Sequence, residues 1–265
     1  MTKGLLTLLL ACAGAAHADI WHNGDLTTYN QGSWGGCVAT CDPSFPDPGA
    51  VLLDGSFNTV YAGTGGVIVG SASKFTMVFT DATSVRKYMP SIGPFAPLNG
   101  SVVNPGTTVS GAFGGEVLGI EFNVDFCDAG LLPGASGLRF GDLILANFST
   151  GPVVNQEPFN GLTVRQFLGD VNILLSDGST IFTIADLGTS LSDLNASFSN
   201  GTASAFAQAH LVAPPSASAV PEPSSLLLVI GAALGMGLAE RFRQGRRVED
   251  PGAKNPGVLI SVERR

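Results

Sequence analysis

The chain has 265 residues, of which 45% are apolar and only 13% charged, with 35 glycines, a formal net charge of −8 and a mean hydropathy of +0.31. Such apolarity excludes an intrinsically disordered chain, and glycine without a period of three excludes collagen. Thirteen basic residues against 21 acidic ones exclude a nucleic-acid partner, because phosphate contacts need clustered Lys and Arg.

The N-terminus has the three-part order of a secretory signal peptide. Lys3 supplies the positive charge, Leu5 to Ala13 the apolar run, and Ala16-His17-Ala18 a small-x-small site for signal peptidase, with the cut before Asp19. The apolar run is too short to span a bilayer. Between Asp19 and Val220 there are five basic and sixteen acidic residues, giving this exported part a charge of −11. Of the four cysteines, Cys12 leaves with the signal peptide. Cys37 and Cys41 flank Val-Ala-Thr in a Gly/Asp/Pro-rich stretch and are the candidate disulfide. Cys37–Cys127 and Cys41–Cys127 are alternatives, and the odd count leaves one thiol over. A zinc site is disfavoured, since only His22 and His210 join the three exported thiols.

Short segments rich in β-branched and aromatic residues, separated by Gly, Asn, Asp and Pro, predict strands over 51–61, 66–71, 74–80 and 101–109. The clearest alternation is 117–126, where Ile120, Phe122, Val124 and Phe126 would share one strand face and Glu121, Asn123 and Asp125 the other. A further strand is expected over 138–148, with a bulge at Gly141-Asp142. Thr163 and Gln166 form a capping box ahead of Val164, Phe167, Leu168, Val171, Leu174 and Leu175, which recur with helical period, and Gly178 ends that helix. A second helix is expected over 190–199 and a last strand over 204–212, before a Pro/Ser/Ala linker at 213–219.

Beyond the linker come Val220-Pro221-Glu222-Pro223, then an apolar run from Leu226 to Ala239, then Arg241, Arg243, Arg246 and Arg247. Arginines after an apolar run should stay cytoplasmic, leaving the preceding chain outside. The apolar run has 14 residues, short of the ~20 of an untilted span, and 18 residues follow Arg247. This order resembles the PEP-CTERM sorting signal, over about 28 residues from Val220 to Arg247. The resemblance implies a bacterial export processed by an exosortase, a membrane-embedded protease, and made alongside exopolysaccharide. Gly114-Gly115-Glu116-Val117-Leu118, Phe122-Asn123-Val124-Asp125-Phe126 and Asn160-Gly161-Leu162-Thr163-Val164 are similar to stretches of other proteins carrying that signal, a β-rich group without an assigned activity.

Catalytic patterns are sparse. No Gly-x-Ser-x-Gly elbow occurs, and Gly70-Ser71-Ala72-Ser73 lacks the closing glycine. Gly63 to Gly70 has no Gly-Lys-Ser/Thr ending for phosphate and reads as a turn. His22 and His210 would meet only if the terminal strands paired. Glu121 and Asp125, placed on a strand, would stand about 13 Å apart at ~3.3 Å per residue, too far for a glycosidase pair. Asp125 and Asp128 near a turn are the candidates for Ca²⁺, without a calcium-loop pattern. Trp21, Tyr29 and Trp34 lie in an Asn/Gln/Gly-rich stretch, where they would either stack on sugar rings or pack on a sheet edge.

The resulting expectation is an all-β, β-sandwich-like exported domain over 19–212 with two short helices. It is flanked by a signal peptide (1–18), the linker, a sorting signal (220–247) holding a single transmembrane helix (224–239), and a flexible cytoplasmic tail (248–265). The expected role is that of an exported cell-surface or extracellular-matrix protein, non-enzymatic, structural or adhesive, held at the membrane as a precursor and without a cofactor. The alternatives are a secreted polysaccharide-acting enzyme or a carbohydrate- or calcium-binding module.

Overall fold

The structure, a computed structural model, describes residues 21–36, 47–132, 134 and 137–215. The first helix, α1 (Gln31–Gly35), begins where the Asn30 side chain accepts the Ser33 N–H. Helix α2 (Pro48–Tyr61) starts on a proline, which suits the first helical turn, and buries Ala50, Leu53, Phe57 and Tyr61 at spacings of three and four. Strands β1 (Val67–Gly70) and β2 (Thr76–Phe79) pair antiparallel in the register Val67 with Phe79. After α3 (Ala82–Tyr88), capped by Asp81, the two-residue strand β3 (Val102–Val103) adds parallel to β2 and completes a sheet of order β1-β2-β3.

Helix α4 (Ala112–Asp128) is the helix around which the described elements pack. Phe113, Val117, Leu118, Ile120, Phe122, Val124 and Phe126 are all buried, and α1, α5, α7 and β1 pack around it. Gly114, Gly115 and Gly119 each cost about 1 kcal/mol against alanine in a helix. They leave room for the Tyr88 hydroxyl, the Gln31 amide and the Asn195 amide, which lie where side chains would otherwise sit.

A 3₁₀ turn (Phe140–Asp142) and β4 (Ile144–Leu145) follow. A second 3₁₀ turn (Glu157–Phe159) leads to α5 (Val164–Leu175). Its Thr163–Gln166 capping box is formed, and its six expected apolar residues are buried. Helices α6 (Ile184–Leu187), α7 (Ser190–Asn195) and α8 (Ala205–His210) precede β5 (Leu211–Val212), which pairs antiparallel with β4. The first described residues meet the last: the Trp21 indole N–H lies 3.2 Å from the Ala207 carbonyl and 3.1 Å from that of Leu211.

The expectation of an all-β sandwich is overturned. Helix takes 42% of the described residues and strand 10%. The alternation over 117–126 belongs to a helix: Ile120 with Val124, and Phe122 with Phe126, are pairs four residues apart, as are Glu121 and Asp125. A helix buried on nearly every side shows no one-sided stripe. The strand expected over 51–61 is α2. That over 101–109 shrinks to Val102–Val103, that over 138–148 to a 3₁₀ turn with Ile144–Leu145, and that over 204–212 is mostly α8. No helix among the described residues is long and apolar enough to cross a membrane. Residues 224–239 lie outside the described residues, as do the signal peptide, Val220, Pro221, Glu222, Pro223, Arg241, Arg243, Arg246, Arg247, Cys37 and Cys41.

Candidate functional site: a carboxyl pair on the central helix

On a helix, residues four apart are neighbours, with Cβ atoms about 5–6 Å apart. Glu121 and Asp125 therefore stand together on a half-buried flank of α4, rather than apart along a strand. The Tyr61 hydroxyl, from the last residue of α2, donates to Asp125 Oδ2 at 2.8 Å. The Asn172 amide, from α5, donates to Glu121 Oε2 at 3.3 Å. Burial, and then the Asp125 charge, push the Glu121 carboxyl up to about 7. Burial also raises Asp125, against the pull of the Tyr61 hydrogen bond, and raises the Tyr61 phenol, with Asp125 adding to it. Such a pair can hold and release a proton near neutrality.

A rim of ion pairs lies at the C-terminal end of α4. Arg165 of α5 reaches Asp128 at 2.9 Å and Asp142 at 3.4 Å, and Arg139 approaches Asp128 at 4.0 Å. These are half-exposed groups, so the pairs are worth little individually. They also put a guanidinium where a cation bound to Asp128 would have to sit. Among the described residues, no group of three or more His, Cys, Asp or Glu side chains is placed to hold a metal ion.

On another face of α4 runs a polar network that the sequence reading missed. The Glu116 carboxylate is buried, accepting from Gln31 Nε2 at 2.8 Å and from Asn195 Nδ2 at 2.7 Å. Asn195 accepts from Asn123 Nδ2 at 3.0 Å, and Asn123 holds the backbone of Tyr29 through both its amide atoms at 2.8 Å. Burial raises the Glu116 carboxyl, while the Asn195 and Gln31 hydrogen bonds oppose the rise. This network ties the N-terminal segment and α7 to the central helix. The signal for it was present in Gln31, Glu116, Asn123 and Asn195, but their partners lie 72 to 94 residues apart in the chain.

The remaining candidates are dispersed. Trp21 and Trp34 are buried, Trp34 against Tyr29, Phe122 and Phe126, so neither offers a face to a sugar ring. The exposed His22 ring lies 3.7 Å from Asp25, whereas His210 stacks on Phe148 with Nδ1 3.1 Å from the Ala146 carbonyl. Cys127 is a free, half-buried thiol, raised by burial, whose Sγ accepts the Phe140 N–H. Neither Cys37 nor Cys41 is described, so the Cys37–Cys41 pairing lies outside the described residues.

No protein-family model matches the chain, nor does any curated protein or solved structure. The site must therefore be read from its own geometry. An open groove of about 820 Å³ between α2 and α3 is lined by Asp54, Phe57, Asn58, Asp81, Arg86 and Lys87, among others. Its central charges are matched: Arg86 bonds to Asp54 at 2.5 Å and to the Gly35 carbonyl at 3.2 Å. Asp81 is occupied in capping α3.

Proposed function

We propose that this chain is an exported cell-surface or extracellular-matrix protein of a bacterium, delivered by its C-terminal PEP-CTERM-like signal, with a structural or adhesive role rather than a catalytic one. The carrying observation is the position of the domain boundary. The compact unit runs to Pro214, inside the Pro/Ser/Ala linker and six residues ahead of Val220. The motif Val220-Pro221-Glu222-Pro223 thus follows that unit in the sequence, where a membrane protease of the exosortase type could separate the two. Two further observations support the reading. The exported stretch carries a charge of −11 while basic residues concentrate in the far C-terminus. An acidic exterior also keeps a secreted domain soluble and off anionic surfaces.

In this account signal peptidase removes residues 1–18 and the precursor is held at the membrane through its C-terminal signal. Processing then releases the acidic domain into a surface layer or matrix with exopolysaccharide as its neighbour. The test is a P221A/E222A/P223A variant expressed in the producing bacterium and followed by cell fractionation. The variant should accumulate in the cell envelope while the unaltered chain reaches the surface or medium. Equal release of the two would overturn the proposal.

A further inference from the structure

Among the described residues, the carboxyl pair of α4 has no ion pair of its own, and Arg165 acts on it only through space. Asp125 is satisfied by the Tyr61 hydroxyl and Glu121 by the Asn172 amide, both neutral donors. The charged groups facing the pair are few. From α5 comes Arg165, whose guanidinium is already shared between Asp128 and Asp142. From α4 itself comes Asp128, a like charge, with Arg139 reaching only Asp128. From α2 comes Tyr61, a phenol held in its neutral form. Strand β1, packed against both α4 and α5, contributes Val67-Ile68-Val69-Gly70 and therefore no titratable group. Glu116 on α4 is engaged separately with Gln31 and Asn195. Two negative charges one helical turn apart and partly desolvated repel strongly, and the available remedy is for one to keep its proton.

We propose that Glu121 and Asp125 share one proton and, with Tyr61, form a pH-dependent clasp between α2, α4 and α5, closed in mild acid and loosened above neutrality. The proton leaves to solvent, and the second charge then faces Asp125, which the Tyr61 hydroxyl holds. The yielding element is the end of α2. Tyr61 is its last residue, and its carbonyl accepts the N–H groups of Thr64 and Gly65 that turn the chain toward β1. Opening there admits water to the two carboxylates, which stay one turn apart on α4, and gives up the contacts of the Tyr61 ring with Phe122 and Phe126. The clasp goes beyond the sorting role and does not depend on it.

Carboxyl-carbon NMR of the full chain reads the pair directly. One glutamate should titrate near the value of about 7 set by its surroundings. D125N, which removes the like charge, should move that titration down. Amide hydrogen exchange over residues 61–66 reads the clasp. After correction for intrinsic rates, opening should grow as pH rises from 4.5 towards 7 and level off above it. The increase is at most about tenfold per pH unit because one proton is linked. E121Q keeps a neutral side chain of the same shape and should abolish that pH dependence. Should E121Q fail to fold, the titration of the unaltered chain decides alone. All glutamates titrating below pH 5, or wild-type pH dependence in E121Q, would overturn the proposal.

Discussion

Replacing Asn195 by alanine attacks the polar network at its most connected point. The Asn195 side chain is fully buried. It donates to the Glu116 carbonyl at 2.9 Å and to Glu116 Oε2 at 2.7 Å, and accepts from Asn123. The truncation leaves Asn123 its bond to the Tyr29 carbonyl and leaves Glu116 its bond from Gln31. Glu116 Oε2, by contrast, is left in the core without its amide donor. An unsatisfied buried acceptor costs about 1–3 kcal/mol, and the space left by the amide adds to it, so N195A should lose about 3 kcal/mol. That is a large fraction of the roughly 5–15 kcal/mol by which domains are stable. The loss should also depend on pH. Burial already holds the Glu116 carboxyl above its ordinary range, and the Asn195 bond opposes that rise. Removing Asn195 pushes it higher. A group whose folded pKa is raised contributes stability that is complete below its unfolded pKa and is lost as pH rises through the folded one. The deficit of N195A should therefore be smaller at pH 5 than at pH 8. Urea unfolding followed by circular dichroism at both pH values measures it. A loss below about 0.5 kcal/mol, or a deficit larger in acid, would refute the reasoning.

Gly119→Ala should destabilise the chain in spite of the ~1 kcal/mol gained in helix propensity. Its Cβ would stand 3.0 Å from both the Nδ2 and Oδ1 atoms of Asn195, and a thermal scan showing stabilisation would contradict the packing described. Thr163→Ala should cost about 1 kcal/mol, because the Thr163 hydroxyl accepts the Gln166 N–H while the Gln166 side chain accepts the Thr163 N–H; urea unfolding measures that loss. Millimolar Ca²⁺ should leave the unfolding temperature unchanged, since Arg165 occupies Asp128; a rise reversed by chelator would point to a calcium site.

Helix α5 was legible in the sequence because its signals are local. The cap lies three residues from its partner, and the apolar stripe faces one way. Helix α4 was not. It is buried around most of its circumference, so its apolar residues fill every phase, and three glycines lower its helical propensity while admitting the side chains of Gln31, Tyr88 and Asn195. Misreading α4 as a strand placed Glu121 and Asp125 too far apart, and so concealed the carboxyl pair. For Trp21 and Trp34 the sequence leaves packing and sugar stacking side by side, and the structure shows packing. What buries them is distant chain: the end of the domain at Leu211 for Trp21, and the aromatic flank of α4 for Trp34.

Export and C-terminal processing each leave a mark at one end of the chain. The intact mass of the protein recovered from the surface or medium of the bacterium that makes it measures both together. The predicted mass corresponds to a chain beginning at Asp19 and ending near Val220-Pro221-Glu222-Pro223, without the arginine cluster. A mass that still includes Leu226 to Arg265 would contradict processing at the C-terminal signal, and one that still includes residues 1–18 would contradict the N-terminal cut.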